Sequence, residues 1–286
     1  MLALPPSRPL QREDEARLLH LWNRSCLFDP ITLDLLREKV WGDPDFQGAL
    51  VSPNLDGFAM AVHRGGKSTI KFLMVAPESR RKGLGAGLLA AAEASLPPGP
   101  IRVCESNPNY LVPGVDVRYT TGLLFLEKRG YQKVGETYNL VCDLRQDFSE
   151  EEREGVRRAQ ASDREVVMSF LGQHWPGWQY EVGRMFANQP VSLHLAFQDD
   201  RLLGFSGYDG NNLGTGWFGP MGTDPEKRGA GVGGILLRRC LADLKAQGHE
   251  QAIIPWVGPY GFYNKQCGAR IDRVFWRYEK CVALGE

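Results

Sequence analysis

Short apolar runs alternate with amphipathic segments along this chain, and the same order of segments occurs twice. Apolar runs typical of buried strands begin at Thr69 and at Trp217. Each run leads into a glycine-containing loop and then into a leucine-rich segment with helical periodicity, which in the second case ends at Gly248. Another strand-like run follows each helix, at Ile101 and at Gln251. The pattern therefore predicts strand, loop, helix and strand in each half.

Matching segments also flank this shared pattern. Upstream, each half opens with a predicted strand and a polar-capped helix, in the segments REDEARLLHLWNRS and SDREVVMSFLGQHW. Alternating strands follow, beginning at Gly57 in the first half and after Ser192 in the second. Downstream, the segments LLFLEKRGYQKVGE and YGFYNKQCGARIDRVF both predict a short helix, a glycine turn and a closing strand. The two halves therefore share one complete order of elements.

The loops themselves are similar residue by residue. The segment VAPESRRKGLGAGLL begins at Val75, and TDPEKRGAGVGGILL begins at Thr223. The matched residues, each pair 148 positions apart, are Pro77 and Pro225, Glu78 and Glu226, Arg80 and Arg228, Gly83 and Gly231, Gly85 and Gly233, and Leu89 and Leu237. A repeat of this length corresponds to a whole domain and not to a solenoid unit.

The length of the chain supports the same division. At roughly 150 residues per domain, 286 residues predict about two domains. The stretch from Arg145 to Gly155 is charged and weakly apolar, so we expect the boundary to lie there. The predicted domains are residues 1–147 and residues 153–286.

Composition excludes several classes of protein. Lys+Arg and Asp+Glu both number 34, so the formal net charge is zero, which argues against a nucleic-acid partner. No run approaches the ~18 apolar residues of a membrane span, and the N-terminal segment lacks a signal-peptide core, so we expect a cytoplasmic protein without a membrane partner. The six cysteines are scattered and form no C-x-x-C pair, so neither a disulfide framework nor a metal site is expected.

The chain contains 33 glycines among 286 residues, which is a larger share than the ~7% usual in proteins. Several of them lie in the repeated R-x-x-G-x-G loop. Glycine lets the backbone turn tightly and approach a ligand, and the helix N-terminus that follows offers free N–H groups to a phosphate or pyrophosphate. Arg80, Arg81 and Arg228 add positive charge at this position. A dinucleotide-binding fingerprint is excluded, because Leu88 and Leu236 occupy its third glycine position.

The pattern V-x-P-x-x-R-x-x-G-x-G before a leucine-rich helix closely resembles the acyl-CoA loop of the GCN5-related N-acetyltransferases, the GNAT family. In that family the loop binds the pyrophosphate of coenzyme A (CoA), and the preceding strand splays from its neighbour to accept the pantetheine arm. The resemblance implies an α/β (α+β layered) protein of two tandem GNAT folds, each a mixed, mostly antiparallel splayed sheet flanked by helices. It implies CoA binding by Met74, Val75, Arg80, Arg81, Lys82, Gly83, Leu84 and Gly85 in the first half, and by Met221, Gly222, Thr223, Arg228, Gly229, Ala230, Gly231, Val232, Gly233 and Asn264 in the second.

A further feature of the family is a tyrosine near the thioester sulfur, in a segment of the type F-Y-x-K-x-G. The second half contains this segment with Tyr263 at the tyrosine position, whereas Leu126 stands at that position in the first half. By resemblance, Tyr263 is the general acid that protonates the departing thiolate. The first half then either uses another donor, such as Tyr119, or is not catalytic.

The reaction implied by the resemblance is transfer of an acetyl group from acetyl-CoA, the co-substrate, to the primary amine of a small molecule. The amine attacks the thioester directly, and backbone N–H groups around Met221 to Thr223 stabilise the oxyanion. By resemblance, Trp175-Pro-Gly-Trp178 lies where this fold usually forms the lid of the acceptor site. Its aromatic rings either line a pocket for an apolar or aromatic amine or pack in the core and between the domains.

The general base is not identified by the sequence. Asp209, Glu181, His174 and Glu105 are candidates only because each would fit a cleft, and a solvated surface position explains each of them more simply. A water chain to a distant carboxylate is a further alternative. The long segment from Asn107 to Gly122 replaces what should be a short loop, and its role is equally open.

Three functions are compatible with these observations. The first is the N-acetyltransferase, and the second is a non-catalytic acyl-CoA-binding or sensor protein; intact loops suit both, but Tyr263 favours the enzyme. The third is a tRNA-dependent aminoacyl transferase, which uses tandem copies of a related fold, but the neutral charge and the two CoA-type loops argue against it. A monomer or a homodimer is expected, since a tandem chain can act as its own pseudo-dimer.

Overall fold

The computed structural model describes residues 7–148, 152–227 and 231–282. These residues form two compact units. Unit 1 contains the described residues up to Thr137 and those from Phe275 onward, and unit 2 contains the described residues from Tyr138 to Val274. Within these ranges, no helix has the length and apolar character that crossing a membrane requires.

Unit 1 is built on a mixed sheet. Its elements, in chain order, are β1 (Arg8–Pro9), α1 (Glu15–Ser25), α2 (Leu33–Lys39), β2 (Leu50–Val51), β3 (Gly57–Arg64), β4 (Lys67–Val75), α3 (Leu84–Ala94), β5 (Gly99–Val103), β6 (Val115–Asp116) and α4 (Thr120–Glu127). Strands β1 to β4 pair antiparallel in sequence order, and β4 pairs with β5 in parallel. The pairing is therefore mixed but mostly antiparallel.

Helices cover both faces of this sheet, because the strands present apolar side chains on each side. Leu18, Leu21 and Trp22 recur at helical spacing along α1 and are buried in one cluster with residues of α2, β3 and β4. A second cluster combines Leu89 of α3 and Leu126 of α4 with the opposite side of the strands. The core of unit 1 thus consists of two layers, one on each face of the sheet.

Unit 2 has the same arrangement. Its elements are β7 (Gln132–Asp143, from Tyr138 onward), β8 (Val156–Arg158), α5 (Arg164–His174), α6 (Gln179–Met185), β9 (Leu193–Gln198), β10 (Arg201–Tyr208), β11 (Phe218–Thr223), α7 (Val232–Ala246), β12 (Gln251–Ile254), α8 (Tyr260–Cys267) and the start of β13 (Arg270–Val282). Strands β8 to β11 form an antiparallel sheet, and β12 pairs antiparallel with β7. One apolar cluster lies beneath α5 and α6, and another beneath α7 and α8. The predicted fold class is confirmed.

The closing strands are exchanged between the two halves of the sequence. In unit 1, β5 pairs with β13 from the C-terminal part of the chain, with Val282 opposite Gly99. In unit 2, β12 pairs with β7 from the N-terminal part, with Ile254 opposite Leu140. The compact units therefore differ from the predicted domains, residues 1–147 and 153–286, because periodicity predicts that a strand forms but not which sheet edge it completes. Residues 149–151 of the predicted boundary segment lie outside the described residues.

The repeat extends further than the loop motif. In each half, an arginine pairs through both nitrogens with an aspartate, which also accepts the backbone N–H of a glutamine just before the first helix. These residues are Arg8, Gln11 and Asp14 in the first half and Arg157, Gln160 and Asp163 in the second, with charged contacts of 2.6–2.8 Å. The arginine hydrogen bonds hold the pKa of both aspartates below the usual range. This shared helix start joins the first strand to the first helix in both halves.

Candidate functional site

The two R-x-x-G-x-G loops adopt the same local backbone where they enter the following helix. Gly83 precedes α3 with φ of 84°, and Gly231 precedes α7 with φ of 76°. This left-handed conformation is one that glycine adopts without strain. The first-turn N–H groups of each helix have no partner within the helix, so both loops offer a place for an anion. Residues Arg228, Gly229 and Ala230 lie outside the described residues.

Strand, loop and helix meet closely around the last glycine of each motif. A Cβ added to Gly233 would lie 3.5 Å from Met221 and 3.5 Å from Phe262, with Thr223 at 3.7 Å. A Cβ added to Gly85 would lie 3.4 Å from Val75 and 3.7 Å from Phe125. The structure therefore brings together Met221, Thr223 and Gly233 from the predicted CoA-binding set in unit 2, and Val75 and Gly85 in unit 1.

The same contacts test the alignment of the short helices that follow. Phe125 and Phe262 occupy equivalent places against the two glycines. The next residue along each helix is Leu126 in α4 and Tyr263 in α8. Leu126 therefore follows the glycine-facing phenylalanine in unit 1, and Tyr263 follows the corresponding phenylalanine in unit 2.

The central strands diverge next to each loop. In unit 1, the parallel pairing of β4 with β5 ends at Ile70 opposite Val103, and the rest of β4 continues without that neighbour in the described pairings. In unit 2, a single parallel bridge joins Trp217 to Ile253, and β11 runs on to Thr223 beyond it. Each divergence leaves backbone N–H and C=O groups of one strand edge available to a ligand.

Tyr263 follows Phe262, the residue that lies against Gly233 in unit 2. It is 8% exposed, and its ring packs against Phe262 and Phe218 with ring centroids 5.1 and 6.1 Å apart. Among the described residues, no hydrogen bond engages its hydroxyl. Burial raises the pKa of Tyr263, and nearby Cys267 adds to the increase. The phenol therefore keeps its proton at neutral pH and is able to act as an acid.

In unit 1 two residues are relevant to the comparison with Tyr263. Leu126 is buried in the core and has no proton to donate. The Tyr119 hydroxyl donates to Asp29 Oδ2 at 2.9 Å and accepts the N–H of Phe28 at 3.0 Å. Burial and the Asp29 carboxylate raise the pKa of Tyr119. These two hydrogen bonds hold the segment that follows α1 against Tyr119. The Tyr119 hydroxyl proton is engaged by the Asp29 carboxylate.

The first loop is anchored to the end of α1. The Arg80 guanidinium donates from Nε to the Val75 carbonyl at 3.1 Å and from a terminal nitrogen to the Ser25 carbonyl at 3.2 Å. Arg24 pairs with Glu78 at 2.7 Å. The side chain of Arg80 therefore has a structural role in this state, whereas Arg81 and Lys82 are exposed at the loop surface.

Several residues predicted to bind CoA lie with their side chains away from the loop mouth. Met74 is buried in the cluster under α1 and α2, and Val232 is buried in a cluster with residues of β8 and β9. Leu84 packs beside Gly57. The Asn264 amide donates to the Ala269 carbonyl at 3.1 Å, which closes the end of α8. Because the side chains of Met74 and Val232 are buried, these two residues could contact CoA only through the backbone.

The four candidate bases differ in their surroundings. Glu105, in unit 1, pairs with Arg102 at 2.9 Å and with Arg277 at 2.5 Å. Glu181 is buried within α6, and Asp209 follows β10 in a left-handed conformation with φ of 50°. None of these three is shown beside Tyr263, so the structure does not select a base.

The fourth candidate, His174, belongs to a group of aromatic side chains in unit 2. This aromatic wall consists of Phe170, His174, Trp175, Trp178 and Phe205. Trp175 stacks on Trp178 with centroids 5.3 Å apart and planes at 25°, and both rings contact Phe205 edge-on. A Cβ on Gly222 would lie 2.6 Å from the Trp175 ring, so the wall presses directly on β11.

A buried charge network in unit 1 was not anticipated from the sequence. Lys71, in the middle of β4, has a fully buried ammonium that donates to Asp43 and, at 2.7 Å, to the Lys39 carbonyl. Arg64 contacts Asp43 at 2.5 Å and also pairs with Asp45. A lysine within an apolar run is the only sequence signal for this site, and it does not reveal the partner.

This network also holds the long segment from Asn107 to Gly122. Arg64 donates to the carbonyl of Asn107 at 2.7 Å, and buried Lys39 donates to Asn109 Oδ1 at 3.1 Å. The Asn109 amide in turn donates to the Glu38 carbonyl at 2.9 Å. The segment is therefore fastened to unit 1 by buried polar contacts.

The cysteines and acids do not form a metal centre in the part of the chain that the structure describes. All six cysteines are free thiols. No group of three or more His, Cys, Asp or Glu residues within the described ranges has an arrangement suited to a metal ion.

Comparison with known proteins agrees with this geometry. Residues 146–269 match the family model described as the Acetyltransferase (GNAT) family. This range includes the second glycine loop, α7 and Tyr263. No curated protein matches the sequence significantly.

Solved structures share the fold. The GCN5-related glucosamine N-acetyltransferase region of a fungal multi-domain β-N-acetylglucosaminidase superposes with a TM-score of 0.79 at 17% identity, over 96% of this chain and 38% of that chain, so this chain spans well under half of that protein. A GNAT protein from Sphaerobacter thermophilus gives 0.69 at 17% identity, over 98% and 96% of the two chains. A tandem GNAT protein from the clavulanic acid biosynthesis pathway gives 0.71 at 16% identity, over 98% and 99%. At these identities the similarity shows the fold, which is that of GNAT proteins, tandem ones included.

Proposed function

We propose that this protein is an N-acetyltransferase that moves an acetyl group from acetyl-CoA to the primary amine of a small molecule, with unit 2 as the catalytic unit. The observation that carries the proposal is the buried Tyr263, whose ring contacts Phe218 of β11 and also Phe262, the residue that lies against Gly233 in the first turn of α7. A divergent strand edge and a helix N-terminus are the two features needed to hold an amide-containing arm and a pyrophosphate. No metal is required by this chemistry.

We assign each step of the reaction to residues of unit 2. Backbone N–H groups of β11, between Met221 and Thr223, stabilise the negative charge that develops on the thioester oxygen when the amine nitrogen attacks the carbonyl carbon. When the tetrahedral intermediate breaks its C–S bond, Tyr263 gives its phenolic proton to the leaving thiolate. The attacking nitrogen loses a proton to solvent, directly or through a water chain, and that proton balances the one Tyr263 must recover.

For unit 1 we propose a supporting role without acetyl transfer. Leu126 replaces the acid, and the Tyr119 proton is held by Asp29. Gly83 of unit 1 nevertheless has the same left-handed backbone as Gly231 of unit 2. A second, non-transferred CoA molecule in unit 1 is therefore compatible with the loop.

Release of free CoA thiol across a panel of primary amines tests the proposed activity. We expect amine-dependent thiol release and a product heavier than the amine by one acetyl group, detected by mass spectrometry. If no amine is acetylated while CoA still raises the thermal midpoint of unfolding, the protein is a non-catalytic CoA-binding protein and the proposal is wrong.

A pair of glycine substitutions assigns the catalytic CoA loop. Gly231→Ala places a side chain on a left-handed backbone, which costs about 1–2 kcal/mol. We therefore expect the KM for acetyl-CoA to rise roughly tenfold, or somewhat more. The matched variant Gly83→Ala strains the equivalent position in unit 1 and should leave this KM unchanged. Steady-state kinetics of both variants measures the difference, and a larger effect of Gly83→Ala would reverse the assignment.

A further inference from the structure

The aromatic wall of unit 2 is built against the strand that we propose to carry the thioester. Trp175 packs so closely on β11 that only glycine fits beneath it at position 222, since a Cβ there would lie 2.6 Å from the ring. Because a strand Cβ points out of the sheet, this contact places the wall on the face of β11. An acceptor that contacts the wall would therefore lie against the strand that we propose to carry the thioester.

The wall has a buried base and an accessible front. Phe170 and Phe205 are 8% and 0% exposed and pack behind the other rings. His174, Trp175 and Trp178 are only partly buried. The segment between the two tryptophans, Pro176 and Gly177, is exposed. The front of the wall is therefore accessible to a ligand.

We infer that the wall binds the acceptor, and that the acceptor is a primary amine carrying a flat ring. This inference rests on the function proposed above. Stacked and edge-on aromatic side chains favour a ligand with a planar or flat apolar face, because such rings gain contact area without losing much conformational freedom. The ammonium group of the amine also gains from the electron-rich ring faces through a cation–π interaction.

The size and rigidity of the wall separate ring amines from open-chain amines. A flexible alkylamine of similar length buries a similar apolar area but must order several bonds against the wall. A ring amine presents its apolar area on a rigid, planar group, so it loses less conformational entropy when it binds. We therefore expect the wall to select acceptor amines by their shape as well as by their hydrophobicity.

The test compares phenethylamine with hexylamine as acetyl acceptors, with glucosamine as a non-aromatic ring amine. We expect kcat/KM for phenethylamine to exceed that for hexylamine about tenfold or more, through KM. Trp178→Leu should reduce this ratio to near one. Trp41→Leu is the matched control, because Trp41 is a partly buried tryptophan of unit 1 that packs beneath Arg12, and it should keep the ratio.

Calorimetric binding of phenethylamine to the CoA-saturated protein gives a second readout that does not need turnover. Binding that favours phenethylamine, is lost in Trp178→Leu and is kept in Trp41→Leu supports the inference. If such binding is observed but no amine is acetylated, the inference stands and only the proposed function fails. Equal binding and turnover of phenethylamine and hexylamine overturns the inference, as does a ratio that survives Trp178→Leu. A strong preference for glucosamine would assign the wall to a sugar ring and overturn the aromatic assignment.

Discussion

Tyr263→Phe should lower kcat by about 10²–10³-fold while leaving CoA affinity nearly unchanged, because the variant removes only the proton that the leaving thiolate needs. The ring contacts with Phe262 and Phe218 stay in place, so the fold should be unaffected. Steady-state kinetics and calorimetric CoA binding measure the two effects separately.

The matched control for this variant lies on the same helix. Tyr260 is 56% exposed at the start of α8, so Tyr260→Phe should change kcat less than twofold. Because burial raises the pKa of Tyr263 above its ordinary value near 10, its deprotonation should cause no loss of wild-type activity below about pH 10. Equal losses in the two variants would show that Tyr263 is not the acid.

Asp43→Ala should destabilise the protein by about 3–5 kcal/mol, because it leaves the buried ammonium of Lys71 without its carboxylate. Chemical denaturation followed by circular dichroism measures this loss. Asp45→Ala is the control, since Asp45 also pairs with Arg64 but is 39% exposed, and it should cost under ~1 kcal/mol. Similar losses in the two variants would mean that the buried pair contributes no more than a surface one.

The effect of Asp43→Ala should also depend on pH. Burial by itself would raise the pKa of Asp43, but the Lys71 ammonium outweighs it and holds this pKa below the usual value. The stabilisation is therefore complete above pH ~4 and is lost as the pH falls further. Burial lowers the pKa of Lys71 to about 8, so above that pH the ammonium becomes neutral and the penalty for losing Asp43 shrinks. The difference in stability between variant and wild type should be largest between about pH 4 and 8.

The glycine loops and their flanking elements could be predicted from the sequence, because the signals are local. The predicted second helix ends at Gly248, and α7 ends at Ala246. The left-handed backbone at Gly83 and Gly231 explains why those two positions are glycine. Local periodicity and backbone conformation determine these features without any knowledge of distant residues.

Features that depend on distant partners were not predictable in the same way. Lys71 within an apolar strand gave no sign of Asp43, because the two residues meet only through the packing of α2 onto β4. The Arg8–Asp14 and Arg157–Asp163 pairs were recognised only in the structure, because short polar motifs of this kind are common and their shared geometry is what relates them. The general base was also not predictable from the sequence, because its identity depends on which side chain lies beside the bound acceptor amine.

The exchange of β7 and β13 makes each half of the sequence depend on the other for a strand of its sheet. A fragment ending at residue 147 would leave the edge of β5 open, and a fragment beginning at residue 153 would lack the strand that pairs with β12. Each copy has given its last strand to the other, so neither could be lost afterwards without exposing a sheet edge in the one that remained. Unit 2, which we propose as the catalytic unit, depends for its closing strand pair on β7 from the N-terminal part of the chain, so retention of the first copy would not require that copy to be catalytic.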